Sequence, residues 1–216
     1  MNAVLLHFYT TGIRWLPAFF WEVANVHSEE AFRRAAGICW LVFGVYWIFS
    51  ALKQKAEKRR EPWIARMGHI LPMLAAFLLF NWQVLRYGWL GARFVPFSTA
   101  VGIAGLGMTA AGVALAIWAR WHIGQNWSAV VSIRAKHELI GTGPYRTMRH
   151  PIYTGGLLAM AGTGLLVGEM RVLVAFGIVW AAFYLKARKE EAWLGREFGE
   201  RFTAHAKKTG MFLPKI

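Results

Sequence analysis

Residues 97–119 read FSTAVGIAGLGMTAAGVALAIWA, a run of small and apolar side chains without a single charged residue. A membrane-spanning α-helix needs about 20 mostly apolar residues, so this run is long enough to cross the hydrocarbon layer. Two further runs, 35–52 and 68–85, have the same character. The three runs place the chain among all-α, polytopic integral membrane proteins.

Two shorter apolar runs, 154–167 and 172–185, are separated by a connection short enough for an antiparallel helical hairpin. Each run is short for a full span, and we expect it to tilt or to thin the bilayer locally. Residues 4–26 are apolar but interrupted, which leaves two alternatives, a further span or a helix lying in the interface. The total is about five or six membrane helices.

The chain is strongly basic, with 25 Lys and Arg against 11 Asp and Glu, and it is 56% hydrophobic. A nucleic-acid surface and positively charged cytoplasmic loops both explain such a balance, and the apolar runs between the basic clusters favour loops. The basic loop from Lys53 to Arg66 is therefore predicted to be cytoplasmic. Successive crossings then bring the polar segments 120–153 and 186–216 together on the cytoplasmic side.

The first of two segments that contain candidate functional residues is HELIGTGPYRTMRHPIYTG, residues 137–155. Pro151 is suited to the first position of the following apolar helix, where free backbone N–H groups and the helix dipole favour a carboxylate or phosphate. Arg149, His150 and Tyr153 crowd this terminus. Alternatively, Arg149 binds lipid phosphates, His150 caps its helix and Tyr153 belongs to an aromatic belt.

A second polar segment, KARKEEAWLGREFG at residues 186–199, follows the hairpin directly. At helical spacing Lys186, Glu190 and Glu197 share one stripe, and Glu191 lies on another. A Lys–Glu pair four residues apart is usually a solvated surface pair. Here the pair is predicted to lie at the membrane surface, where a polar cofactor and a charged substrate can both arrive.

These two segments together resemble the isoprenylcysteine carboxyl methyltransferase family. The resemblance covers roughly residues 120–216 and includes Gly124, Trp127-Ser128 and Phe212-Leu213-Pro214. Phospholipid N-methyltransferases and sterol reductases share weaker versions of the pattern. The residues that carry it are His137, Leu139, Gly143, Tyr145, Arg149-His150-Pro151, Tyr153 and Gly155, followed by Glu190-Glu191, Leu194 and Phe198-Gly199.

The resemblance implies a cytoplasmic S-adenosylmethionine site in a catalytic half, 120–216, that follows N-terminal membrane helices in 1–119. This half would comprise a loop (120–153), the hairpin (154–185) and a C-terminal helix (186–216). In the family an Arg one turn before the cofactor-binding Glu contacts substrate, whereas this chain has Lys186 there and Arg188 nearby. The implied cofactor-binding residues are His137, Glu138, Leu139, Ile140, Tyr145, His150, Pro151, Ile152, Tyr153 and Glu190.

The implied reaction is carboxyl O-methylation of an isoprenylcysteine-like or other lipid-linked acceptor in a bacterial or archaeal inner membrane. Lys186 or Arg188 would hold the carboxylate, and His150 or Glu190 would be a base for an amine or thiol acceptor. We expect membrane lipids as partners, and neither nucleic acid nor metal. Alternatives are a phospholipid or small-amine or thiol methyltransferase, an NADPH-dependent reductase of sterol or lipid double bonds, and a non-catalytic protein that binds anionic lipid.

Small residues concentrate in the first arm of the hairpin, among them Gly155, Ala159 and Gly162. Such residues either leave room for an acceptor to enter laterally from the bilayer or allow close packing of helices. We expect a lateral entrance here. For the glycines in 102–107 and 162–168, close packing is favoured over a dinucleotide-binding loop, because they follow no predicted strand.

Overall fold

A computed structural model describes residues 3–52, 63–81, 86–124 and 139–215, and their side chains from residue 28 onward with the exception of 63–66 and 69. These ranges are helical and contain no β-strand, which confirms the all-α prediction. The helices are α1 (Ala3–Leu52), α2 (Trp63–Asn81), α3 (Thr99–Ile123), α4 (Pro151–Val167), α5 (Met170–Phe198) and α6 (Glu200–Lys208).

Three of these helical segments are long and apolar enough to cross a membrane: Ser28–Leu52 of α1, all of α3, and α5. The apolar part of α2 (Ile70–Asn81) and α4 (Pro151–Val167) are shorter. Many large apolar side chains of α1, α2, α3 and α5 are exposed, as expected where lipid is the solvent, whereas those of α4 are buried or half-buried. The chain is an integral membrane protein, and the number of spans stays a prediction.

The predicted boundary between the hairpin and a separate C-terminal helix 186–216 is wrong. The second arm continues without a break from Met170 to Phe198, so it is not short for a span. Residues 186–198 contain good helix formers and no proline, and the helix therefore extends past the apolar run into the polar segment. It ends at Gly199, whose φ of +52° disfavours other residues, and α6 follows.

The helix ends fall into two groups, which we name the site end and the far end. At the site end, Arg120 Nη2 donates to the carbonyl of Ser50 at 3.1 Å and joins the C-terminal ends of α3 and α1. At the far end, Gly168 (φ +69°) forms the α4–α5 turn. Arg171 Nη1 donates there to the Leu79 carbonyl of α2 at 2.6 Å. The 17 residues of α4 separate the two ends by about 25 Å.

Helices α3 and α4 pack backbone against backbone. A Cβ atom added to Gly112 would lie 2.3 Å from the Ala159 nitrogen, and one added to Gly162 would lie 2.4 Å from the Gly105 carbonyl oxygen. The expected close packing of glycines is therefore confirmed at Gly105 and Gly162. The expected lateral entrance beside Gly155, Ala159 and Gly162 is wrong, because α3 fills that space.

Candidate functional site

The first turn of α4 meets the polar part of α5 at the site end. Tyr153 Oη donates to Glu190 Oε1 at 2.7 Å, and His150 Nδ1 lies 3.6 Å from Glu190 Oε2. His150 precedes Pro151 as the N-cap residue but forms no side-chain capping bond, so the capping alternative for His150 is wrong. Three of the residues that the resemblance implies for the cofactor, His150, Tyr153 and Glu190, are thus brought together.

Aromatic rings and a lysine complete this group. The ring of Tyr153 is nearly parallel to that of His150, with centroids 5.3 Å apart, and stacks on Phe183 at 4.7 Å. Lys186 Nζ lies 5.5 Å from the Tyr153 ring centroid and 4.0 Å from Glu190 Oε1. We refer to His150, Tyr153, Lys186 and Glu190 as the polar cluster.

The two cations that are predicted to bind substrate, Lys186 and Arg188, differ in their position relative to the polar cluster. Lys186 is half-buried within it, whereas Arg188 is exposed and its Nη1 lies 3.5 Å from Tyr184 Oη, one turn earlier on α5. Residues two positions apart on a helix do not share a face. Lys186 is therefore the cation that the structure places beside Glu190.

A second network, behind the polar cluster, fixes the imidazole of His150. Glu191 Oε1 accepts from Arg149 Nε at 2.6 Å and from His150 Nε2 at 3.1 Å. The side chains of Arg149, His150 and Glu191 are only 13%, 7% and 15% exposed. Because one nitrogen of the ring bonds to Glu191, the other is directed toward Glu190.

Arg149 also ties α5 to the end of α6. Its Nη1 donates to the Ala206 carbonyl at 3.2 Å and to the carbonyl of Thr209. The guanidinium is thus satisfied by protein groups, and the alternative that Arg149 serves lipid phosphates is wrong. Arg149 and Glu191 are not among the predicted site residues. Arg149 is adjacent to His150 and Glu191 is adjacent to Glu190, and their opposite charges are a sequence signal from which this ion pair could be predicted.

The segment after α6 lies against the start of α4. The backbone N–H of Arg149 donates to Gly210 O at 2.9 Å, and that of His150 donates to Met211 O at 3.1 Å. Thr154 Oγ1 donates to the Phe212 carbonyl at 2.6 Å, and the Phe212 ring centroid lies 6.0 Å from that of His150. Sequence patterns gave no sign of this docking, because backbone pairing between distant segments leaves no residue signature.

Tyr145 lies against the C-terminal end of α3. It is buried, its hydroxyl donates to the Ala119 carbonyl at 3.4 Å, and its ring stacks on His122 with centroids 6.4 Å apart. Burial, and next the negative charge of Glu190, raise the pKa of Tyr145 well above its ordinary value. The phenol therefore remains protonated and acts as a hydrogen-bond donor.

The remaining predicted cofactor residues are buried or half-buried, or they lie outside the described part of the chain. Pro151 is buried, and Leu139, Ile140 and Ile152 are half-buried. His137 and Glu138 lie outside the described residues. The basic loop 53–62 and the Trp127-Ser128 pair lie outside them as well.

The segment of the chain that carries this site is similar in sequence to known proteins. Residues 101–201 match the family model described as phospholipid methyltransferase. A probable protein-S-isoprenylcysteine O-methyltransferase of Oryza sativa is 35% identical over 96 residues, which are 43% of this chain and 50% of that protein. The corresponding Schizosaccharomyces pombe enzyme is 32% identical over 43% of this chain and 41% of its own length.

Two other similarities are of different kinds. The cobalt-zinc-cadmium resistance protein CzcN of Cupriavidus metallidurans is 31% identical over 44% of each chain. The solved structure of a eukaryotic intramembrane Ras methyltransferase, isoprenylcysteine carboxyl methyltransferase, covers 73% of this chain and 54% of its own. It has a TM-score of 0.49 and 20% identity, a likeness too low to support an argument. The matched segment spans about half the length of the curated relatives.

The fold and the site define a class, a helical integral membrane protein with a polar cluster at one end of its membrane helices. Within that class, the resemblance to isoprenylcysteine carboxyl methyltransferases is confirmed over the C-terminal half, in the segment that matches the phospholipid methyltransferase family.

Proposed function

We propose that the protein is an integral membrane methyltransferase that uses S-adenosylmethionine to methylate the carboxylate of an isoprenylcysteine-like or other lipid-linked acceptor. The observation that carries the proposal is the Tyr153–Glu190 hydrogen bond within the polar cluster. It joins the two motifs of the resemblance at the end of membrane helices. Relatives named as protein-S-isoprenylcysteine O-methyltransferases support the same reaction.

The chemistry of the polar cluster fits this cofactor, which presents an ammonium, a carboxylate, ribose hydroxyls and a positively charged sulfur. Glu190 is half-buried and supplies a carboxylate acceptor for hydroxyls or the ammonium. The first amides of α4, after Pro151, favour a carboxylate. We assign the surrounding wall to His137, Glu138, Leu139, Ile140, Tyr145, Ile152 and the aromatic ring of Tyr153. When bound, the cofactor supplies an electrophilic methyl group.

Lys186 is proposed to hold the acceptor carboxylate, with Arg188 on the exposed face as the alternative. A carboxylate is ionised at neutral pH and needs no general base, so the residues of the site must only orient it and exclude water. An amine or thiol acceptor would need a base. His150 is poorly suited to that role, because its Nε2 is engaged by Glu191 and its Nδ1 faces Glu190.

The acceptor is proposed to keep its lipid tail in the bilayer while its head reaches the polar cluster. Removing the tail would cost about 0.8 kcal/mol per CH₂ group. Leu173 and Trp180, two turns apart on one face of α5, are exposed on the apolar part of that helix. We place the site end on the cytoplasmic side, because the basic loop 53–66 follows α1 at that end. Labelling of a cysteine introduced into that loop, in intact cells and in inverted vesicles, checks the side.

Binding of S-adenosylhomocysteine by titration calorimetry, on the full chain in detergent, tests the cofactor site. Glu190→Gln removes a charge-assisted hydrogen bond, worth about 1.5 to 3 kcal/mol, and should weaken binding roughly ten- to a hundredfold. Glu197→Gln is the matched control, because Glu197 is exposed two turns later on the same helix. Equal, small effects at the two positions would contradict the proposal, as would binding of NADPH in place of the cofactor.

A further inference from the structure

The far end of the protein carries two ion clusters in which each glutamate is shared by two arginines. In the first triad, Glu29 Oε1 lies 2.6 Å from Arg33 Nη2 and 3.2 Å from Arg93 Nη1. The side chain of Glu29 is 19% exposed, and those of Arg33 and Arg93 are 34% and 37% exposed. One carboxylate therefore faces two guanidinium groups.

The second triad is built around a fully buried glutamate. Glu169 has no exposed surface, and its two oxygens lie 2.7 Å from Arg86 Nη2 and 2.6 Å from Arg171 Nε. Arg171 is 2% exposed, whereas Arg86 is 48% exposed. Again one carboxylate faces two guanidinium groups.

The two triads form one surface. Residues 92–94 pair with the α4–α5 turn, since Phe94 N donates to Gly168 O at 2.9 Å and Met170 N donates to Ala92 O at 2.9 Å. This pairing holds Arg93 of the first triad beside Glu169 of the second. The exposed rings of Tyr87 and Trp89 flank the same segment. Exposed Tyr and Trp next to membrane helices are typical of the headgroup region.

The charge at this end does not balance. Among the ion pairs that the structure describes there, the arginines are Arg33, Arg34, Arg86, Arg93 and Arg171 and the glutamates are Glu29, Glu30 and Glu169, a surplus of two positive charges. Charges withdrawn from water are costly unless opposite charge is nearby. The arginines of the triads that remain partly exposed are Arg33, Arg86 and Arg93.

We propose that this surface, the two triads together, binds the phosphate of an anionic membrane lipid in the leaflet opposite the polar cluster. Guanidinium groups bind phosphate oxygens through paired, charge-assisted hydrogen bonds. A lipid phosphate is held at the required depth by its acyl chains, which a free phosphate ion lacks. The bound phosphodiester carries one negative charge, halves the surplus of two and stabilises the packing of residues 86–95 on the α4–α5 turn.

Thermal unfolding of the full chain in detergent micelles doped with phosphatidylglycerol or with phosphatidylcholine tests the site. Phosphatidylglycerol should raise the Tm more than phosphatidylcholine does, and inorganic phosphate at the same concentration should not reproduce the difference. Arg93→Gln should reduce the apparent affinity for phosphatidylglycerol about tenfold, which corresponds to the loss of one charge-assisted contact. Arg34→Gln is the matched control, because Arg34 is 80% exposed and pairs with Glu30 outside the triads.

Three results would overturn the proposal. Equal stabilisation of the wild-type protein by the two lipids would show that the headgroup charge is not recognised. Full reproduction of the effect by inorganic phosphate would assign the surface to a free ion. An unchanged lipid preference in Arg93→Gln, with lower stability in both lipids, would show that the triad is only structural. If Arg93→Gln does not fold, Arg86→Gln at the more exposed position takes its place.

Discussion

Glu190 and Glu191 are neighbours with the same chemistry, and we expect their substitution to have different consequences. Glu191 accepts from Arg149 at 2.6 Å and from His150 at 3.1 Å in a mostly buried network. Glu191→Gln keeps an acceptor oxygen but removes the charge, so both bonds fall from charge-assisted to neutral strength. We expect this change to lower the free energy of unfolding. Glu190→Gln, in contrast, is expected chiefly to weaken cofactor binding.

The size of the Glu191 effect follows from its two bonds. Each bond loses about 1 kcal/mol when its acceptor changes from charged to neutral. The buried guanidinium of Arg149 also loses its counter-charge, which adds to the loss of stability. Breaking a buried ion pair by removing one partner costs about 3 to 5 kcal/mol, and this value is the upper limit. We therefore expect about 2 to 4 kcal/mol for Glu191→Gln. The side chains are less than one-sixth exposed, so solvent screening reduces this value little.

The assay is a double-mutant cycle on unfolding in mild detergent, with Glu191→Gln, Arg149→Gln and the combined variant. The two changes should be strongly non-additive, with a coupling free energy above about 1 kcal/mol. S-adenosylhomocysteine affinity, measured on the same proteins, separates this network from the polar cluster. Additive effects, or a Glu191→Gln variant as stable as Glu197→Gln, would refute the structural role.

Two further outcomes follow from packing and from charge. Gly162→Ala should lower the free energy of unfolding by about 1 to 3 kcal/mol, because α3 occupies the space that its Cβ needs. Gly107→Ala, whose Cβ would meet nothing within 4 Å, should not be destabilising, and equal losses in thermal stability would contradict the packing account. Burial and next the charge of Arg149 lower the pKa of His205 below its ordinary 6.5, so the neutral form favours the folded state. Stability present above pH 6.5 should decline as the pH falls through the lowered pKa, and His205→Gln should flatten that decline in a pH series of Tm values.

The membrane helices were predictable because hydropathy alone specifies which segments avoid water. The same signal misplaced the end of α5. An apolar run ends where the membrane ends, whereas a helix continues until a residue such as Gly199 stops it. Hydropathy therefore placed the boundary at 185 although the helix continues to Phe198.

At the candidate site, contacts could be predicted where two motif residues touch each other, as Tyr153 and Glu190 do. It was not predictable where the contacts involve backbone, as in the docking of residues 210–212 against the start of α4. The small residues of α4 allowed two interpretations. Only the position of α3 decides between them, because a glycine in a membrane helix indicates close approach without identifying the neighbour.

The most direct test of the proposed reaction is methyl transfer by the purified full chain. A prenylated cysteine with a free carboxylate is incubated with methyl-labelled S-adenosylmethionine, and the same compound with an amidated carboxyl group is the matched control. We expect label on the free acid alone, its release by mild base as expected of a methyl ester, and its loss in Glu190→Gln and Lys186→Gln. Transfer to the amidated compound, or a label that withstands mild base, would contradict carboxyl methylation and indicate an amine, thiol or phospholipid acceptor.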